Sequence, residues 1–256
     1  MAFYTDESGR VVDDGQRFED TKRLKDTTAL SLAKVFGYMF AGLLITGLVA
    51  FGLAFLFYRW MLVDEITATE MLFWLMIGSC ITTIILSIII SFQMRKQKLR
   101  HMLIPAIIYT VVMGIMLSTF VLFLDWRLLG GAFLATSLIF GVMSLIALLS
   151  KGNLNGLAIV GFGLIFGAGI VSLFTWFLWF ISPGTFETFY WIVTLGLFAG
   201  MMFITMWDIW RIKKLAEAGM LTGNVSLYCA FNLYIDFIYI FIRMVYFLSI
   251  ISGKRN

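Results

Sequence analysis

The segment SLYCAFNLYIDFIYIFIRMVYFLSII, residues 226–251, is 26 residues long and almost entirely apolar. A helix of about 20 apolar residues crosses the ~30 Å hydrocarbon layer of a bilayer, so this segment predicts a transmembrane helix. Yet the segment contains Asp236 near its middle and Arg243 two helical turns later. A carboxylate in hydrocarbon is costly unless it is paired, hydrated or protonated, so Asp236 is expected to have a specific role.

The composition extends this prediction to the whole chain. Of the 256 residues, 61% are hydrophobic and 13% are charged, whereas soluble domains carry about a quarter charged residues. The apolar stretches are continuous rather than alternating, which excludes a membrane β-barrel. The sequence therefore predicts an all-α membrane protein, a bundle of seven transmembrane helices, with spans near 35–58, 71–93, 103–124, 129–149, 156–181, 188–209 and 226–251.

The distribution of charge divides the chain and predicts its direction. Residues 1–29 form a polar, mixed-charge arm, and residues 30–256 form the seven-helix domain. A cytoplasmic N-terminus places fourteen Lys and Arg residues on the cytoplasmic side and four on the other. This bias predicts a multi-pass protein of the cell membrane with its N-terminus in the cytoplasm. Seven spans leave the C-terminal GKRN outside, and six spans with a re-entrant last segment remain an alternative.

Several other classes of function are disfavoured. Cys80 and Cys229 both lie in apolar segments without metal-site spacing, so neither a disulfide nor a metal site is expected. The single histidine, His101, excludes multi-histidine metal or haem sites. The basic residues occupy short loops, so nucleic acid is not an expected partner. GLIFG at 163–167 and GLFAG at 196–200 predict close helix packing in spans 5 and 6.

Four charged residues are candidates for a functional site because they lie in or beside the apolar spans: Arg95, Asp208, Asp236 and Arg243. Asp208 has a simpler explanation, as a solvated acid at the end of span 6 paired with Arg211 three residues later. Arg243 is about 10 Å from Asp236 along the helix, so direct contact would be strained. Asp236 is therefore expected to face another helix, with Asp208 and Arg95 as candidate partners.

A meeting of the two aspartates would have chemical consequences. Two carboxylates at close range in an apolar medium cannot both be ionised easily, so they would share a proton. Such a cluster within a membrane indicates an ion path or a proton-sensitive gate, although a buried ion pair that only fixes helix packing is the alternative. The predicted spans place Asp236 roughly 13 Å deeper than Asp208, so span 6 or span 7 must differ from its predicted bounds.

The sequence around these aspartates resembles a known family. MWDIWRIKK (206–214) and CAFNLYIDFIYIF (229–241) are similar to the two closing motifs of the transmembrane Bax inhibitor motif family. FQMRKQKLR (92–100) resembles the basic end of the family's second span, and residues 132–158 resemble its fourth span and the following loop. The similarity in the number and order of spans covers most of residues 30–251.

The resemblance implies a fold and a function. It implies a bundle with a central last helix and a pH-sensitive leak of calcium across the membrane, without a cofactor. Asp208 and Asp236 would form the proton-sharing pair and a transient calcium site, and Arg95 would be the latch that holds the pair closed. Trp207, Tyr239, Arg243 and Tyr246 depart from the family pattern, and Arg243 is expected to modify the path.

Two other functions remain open. Members of the same family are linked to non-conducting roles, in which the protein would regulate a membrane protease or a stress or cell-death partner through its helix faces and its N-terminal arm, residues 1–28. An intramembrane aspartyl protease would also pair two aspartates, but the glycines that accompany such aspartates are missing beside Asp208 and Asp236. The expectation is therefore a protein without enzymatic activity, whose partners are the lipid bilayer, calcium ions and protons.

Overall fold

The computed structural model describes the backbone of residues 3–5, 11–93, 99–181 and 183–253, and side chains within 22–23, 26–92, 102–174 and 189–252. Two short antiparallel strands, β1 (Phe3–Thr5) and β2 (Val11–Asp13), precede the helices. The helices are α1 (Asp14–Met61), α2 (Glu65–Gln93), α3 (Leu99–Phe123), α4 (Trp126–Leu149), α5 (Asn155–Ile181), α6 (Pro183–Glu217) and α7 (Gly223–Gly253).

All seven helices are long and apolar enough to cross a membrane, which confirms the predicted bundle. The difference from the predicted spans that matters for the site lies at the end of α6, which continues to Glu217 instead of ending near residue 209. At the N-terminal end α1 is continuous from Asp14, so the second half of the predicted polar arm is helical. The C-terminal ends of α4 and α6 lie on the same side of the bundle, here called the basic side, since Lys213 of α6 bonds to the backbone oxygens of Leu148 and Ser150 at the end of α4.

Helix α7 is the centre of the bundle, as the sequence resemblance implied. It packs against α1, α3, α4 and α6, while α2 packs on α1 and α3, and α5 packs on α6. From Asn224 to Ile250 no α7 residue is exposed. Leu233 and Ile240 are completely buried, and Tyr234 is 2% exposed. A charged side chain in the middle of α7 is therefore enclosed by other helices rather than by lipid.

Small residues set how closely the outer helices approach. A Cβ atom on Gly161 of α5 would lie 3.0 Å from the backbone oxygen of Gly200, and one on Gly200 would lie 3.0 Å from that of Gly161. The prediction of close packing between spans 5 and 6 is correct, but Gly163 and Gly167 do not take part, since a Cβ on either would meet nothing within 4 Å. Gly163 and Gly167 lie on a face of α5 that does not contact α6.

Hydrogen bonds fix α7 against α1 and α3. The Thr46 hydroxyl donates to the Thr110 backbone oxygen at 2.9 Å and lies 2.6 Å from the Tyr234 hydroxyl. Because the Thr46 proton is used by Thr110, the Tyr234 hydroxyl donates to the Thr46 oxygen. A Cβ on Gly42 would lie 3.2 Å from the Tyr234 ring, so glycine leaves room for this ring. These contacts define which face of α7 is turned toward α6.

Helix ends confirm the predicted division between the third and fourth spans. Asp125 separates α3 from α4, and its side chain accepts a hydrogen bond from the Arg127 backbone N–H at 3.0 Å, which caps α4. On the basic side, Gly219 follows α6 with a positive φ of 68°. Glycine adopts this conformation easily, so it is a suitable residue just beyond a helix end.

Candidate functional site

The true end of α6 changes the relative depth of the two aspartates. Asp208 lies nine residues before the end of α6 at Glu217, and Asp236 lies thirteen residues after the start of α7 at Gly223. Since the two helices are antiparallel, the four-residue difference corresponds to ~6 Å of depth. The larger separation expected from the sequence was wrong because α6 was predicted to end too early.

Asp236 is enclosed in the core between α7 and α6. The residue is 5% exposed, and its Oδ2 atom is buried without a hydrogen-bond partner within the described part of the chain. Thr205 of α6 lies beside the Asp236 carboxyl group, and the Asp208 carboxyl group is close enough to interact with it electrostatically. The structure thus brings together the two acids that the sequence singled out.

Asp208 has a guanidinium partner on its own helix. Its side chain is 13% exposed, and its Oδ1 atom lies 3.9 Å from the Arg211 Nη1 atom. This confirms the predicted pairing with Arg211, although Asp208 lies within α6 rather than at its end. Arg211 also lies over the Trp207 ring at 5.4 Å, and the Trp207 Nε1–H donates to the Asn155 side-chain oxygen at 3.1 Å. Trp207, a departure from the family pattern, therefore links α6 to the start of α5.

Of the two other predicted charges, Arg95 and Arg243, the structure describes only Arg243. Arg95, the predicted latch, lies outside the described residues, as does the side chain of His101. The Arg243 guanidinium lies over the Tyr239 ring at 5.3 Å, toward the opposite side of the bundle. Among the described side chains, Arg243 forms no ion pair with Asp236. Arg211 is thus the guanidinium that the described residues place beside the acids.

Lys213 is a structural contributor that the sequence reasoning missed. Its Nζ atom donates to the backbone oxygens of Leu148 at 2.7 Å and Ser150 at 3.0 Å, at the end of α4. The last carbonyl groups of a helix lack intrahelical partners, so a lysine can satisfy them. This contact fixes the segment of α6 that carries Asp208 against α4. In the sequence, Lys213 belonged to a basic run and was used only as evidence for membrane orientation.

The chemistry of the site is that of a carboxyl pair in an apolar wall. The described residues contain no cluster of three or more His, Cys, Asp or Glu side chains that could hold a metal ion. Two carboxyl groups can share a proton, or can replace a few of the six to eight oxygen ligands that calcium takes. The site therefore suits proton exchange and weak, temporary contact with a cation better than storage of a metal.

The fold and this site define the class of protein: a multi-pass membrane protein of seven helices whose central helix carries a buried acid, with a second acid on the neighbouring helix α6. The family model described as "Inhibitor of apoptosis-promoting Bax1" matches residues 28–254. The chain belongs to this Bax inhibitor-like transmembrane family, as its closing motifs indicated.

Curated relatives agree with this assignment. The chain is 27% identical over 232 residues to "Inner membrane protein YbhL" of Escherichia coli (strain K12), covering 88% of this chain and 92% of that protein. It is 26% identical over 230 residues to "Uncharacterized protein YrjE" of Lactococcus lactis subsp. lactis (strain IL1403), with the same coverage of each chain. No solved structure matches the chain at a significant level.

Proposed function

We propose that the protein is a pH-sensitive leak channel for cations, with calcium as the permeant ion and Asp208 and Asp236 as proton sensor and temporary cation site. The observation that carries the proposal is the Asp236 carboxyl group, which is buried in a membrane span, has an unpartnered oxygen and interacts with Asp208. An ionisable group in this position is expensive, so a function in proton or ion passage is the default explanation.

Closure depends on the packing around α7 and on attraction between acids and guanidinium groups. Because Asp236 is 5% exposed, passage of an ion requires the helices around α7 to separate. At higher pH an ionised Asp208 attracts Arg211 at 3.9 Å, but both residues lie on α6 and this pair does not join two helices. Arg95, which follows the second span in the sequence, is proposed to be the latch that attracts the ionised acids from another helix. Proton uptake by the pair removes negative charge, weakens the attraction and favours opening, so flux should rise as pH falls.

Weak binding is compatible with conduction. A permeant ion must bind well enough to enter and weakly enough to leave. Two carboxyl groups supply only part of a calcium coordination shell, so the ion would keep much of its water. The predicted cytoplasmic N-terminus places Asp208 nearer the cytoplasmic end of this path, with Asp236 deeper in the membrane.

Calcium flux in liposomes tests the proposed function. The purified full chain is reconstituted into liposomes that contain a calcium-sensitive dye, and calcium entry is expected to be several-fold faster than in empty liposomes. Entry should also be faster at pH 6 than at pH 8. The size of this pH effect is limited because one titrating site changes occupancy at most about tenfold per pH unit. Liposomes with a heat-inactivated sample are the control. Flux equal to the control at both pH values would contradict the channel and would favour the non-conducting scaffold.

A further inference from the structure

A second charged feature lies about two helical turns beyond Asp236, toward the ends of α3 and α7 on the side opposite the basic side. A cavity of about 410 Å³ lies between these helix ends and is lined by Thr119, Phe123, Arg243, Tyr246 and Ser249, among others. We call it the α3–α7 cavity. It combines apolar wall residues with a guanidinium and hydroxyl groups, whereas the cavity beside Tyr234 and the cavity beside Phe133 have no charged lining residue.

Arg243 is the charged residue of this cavity. Among the side chains that the structure describes, no acidic group forms an ion pair with Arg243. The ring of Tyr239 covers one face of the guanidinium, at 5.3 Å, but stacking leaves the N–H donors at its edge available. The Thr119 Oγ1 atom, which also lines the cavity, is buried and has no hydrogen-bond partner within the described residues.

The level of the cavity in the bundle indicates where a ligand would come from. Thr119 and Phe123 belong to the last turn of α3, which ends at Phe123, so the cavity lies about one turn below the end of a membrane span. Phe123 is 60% exposed, and the cavity is therefore accessible beside the last turn of a lipid-facing helix. Lipid phosphate groups lie just above the hydrocarbon layer, and the long side chain of an arginine near a helix end can extend to them.

We propose that the α3–α7 cavity binds the phosphate group of an anionic phospholipid, with Arg243 as the principal donor and Thr119 as a second donor. Arginine presents a planar fork of N–H groups that matches phosphate oxygens, and charge-assisted hydrogen bonds of this kind are among the stronger ones in proteins. A bound phosphate would supply a negative charge that Arg243 does not receive from the described side chains, and the apolar wall at Phe120 and Phe123 would lie along the first carbons of the acyl chains.

The test is lipid binding to the purified full chain, measured by native mass spectrometry and by thermal stability. The probes are phosphatidylglycerol and phosphatidylcholine with identical acyl chains, and inorganic phosphate alone. The wild type is expected to prefer phosphatidylglycerol, and Arg243→Gln should weaken its binding about tenfold, since a charge-assisted pair is lost. Arg243→Lys should keep part of the affinity for phosphatidylglycerol, because lysine retains the charge but not the planar fork of donors. The isosteric Thr119→Val should lower this affinity about threefold. These two variants provide the test if Arg243→Gln folds poorly.

Arg127→Gln is the matched control. Arg127 is an exposed arginine on the same side of the bundle, and its guanidinium also lies over an aromatic ring, that of Trp126, at 5.6 Å. This variant should bind phosphatidylglycerol as the wild type does. Unchanged binding by Arg243→Gln, an equal loss with Arg127→Gln, or equal binding of the two lipids by the wild type would overturn the proposal. Equal stabilisation by inorganic phosphate alone would identify a free-anion site and overturn the assignment to a lipid.

Discussion

Calcium flux through the Asp236→Asn variant is expected to lose its dependence on pH. Asparagine has nearly the shape of aspartate but cannot take up or release a proton, so the carboxyl pair can no longer share one. Between pH 8 and pH 6 the flux of this variant should change less than about twofold, whereas the wild type should change several-fold, as one titrating site permits. The measurement is calcium entry into liposomes at matched protein content.

Asp64→Asn is the matched control for this substitution. Asp64 is an exposed aspartate between α1 and α2, and hydrogen bonds from the Thr67 side chain and backbone N–H hold its pKa below its usual value. A carboxyl group with a lowered pKa remains ionised throughout the neutral range, so this variant should keep the wild-type pH profile. A wild-type pH response in Asp236→Asn would end the proposed role of Asp236, whatever the total flux.

Replacement of Lys213 by methionine is expected to cause the largest loss of stability. Methionine keeps much of the length of the side chain but removes the ammonium group that donates to the Leu148 and Ser150 backbone oxygens at 2.7 and 3.0 Å. The Lys213 side chain is only 17% exposed, so little water is available to replace these bonds. The free energy of unfolding in detergent should fall by about 3 kcal/mol, which is the upper end of the contribution expected from a hydrogen bond to a charged group.

The neighbouring lysine provides the comparison. Lys214 is 46% exposed, and its Nζ atom bonds to the Glu217 carboxylate at 2.8 Å on the surface of the same helix. Exposed ion pairs contribute up to about 1 kcal/mol, so Lys214→Met should have a much smaller effect on the free energy of unfolding. Equal losses from the two substitutions would contradict the assignment of Lys213 to the junction of α4 and α6.

The sequence was sufficient for the architecture because hydropathy directly reflects transfer from water to lipid. It failed at the end of α6, where the segment WRIKKLAE (210–217) is polar but helical. Hydropathy detects the boundary of the hydrocarbon layer, whereas the helix itself continues until Gly219 adopts a positive φ. This extension decides whether Asp208 and Asp236 lie at similar depths, so the pairing of the site depended on a boundary that hydropathy does not report.

Tertiary contacts were the other part that the sequence did not predict. The role of Lys213 depends on where the end of α4 lies in space, and the packing of α5 on α6 depends on the rotation of each helix about its axis. A GxxxG pattern identifies a helix able to pack closely, but the contact uses Gly161 rather than Gly163 or Gly167. Similarly, Asp236 was recognised as out of place from its position alone, whereas its neighbour Thr205 became evident only from the fold.

The measurement that tests the central claim most directly is infrared difference spectroscopy of the reconstituted protein between high and low pH. The C=O stretch of a protonated carboxyl group is distinct from the bands of a carboxylate, so it reports proton uptake by buried acids. If Asp208 and Asp236 share a proton, the wild type should show such a band, Asp236→Asn should remove it, and Asp208→Asn should shift the pH at which it appears. A band that is unchanged in both variants, or the absence of any titrating carboxyl band in the wild type, would contradict the account.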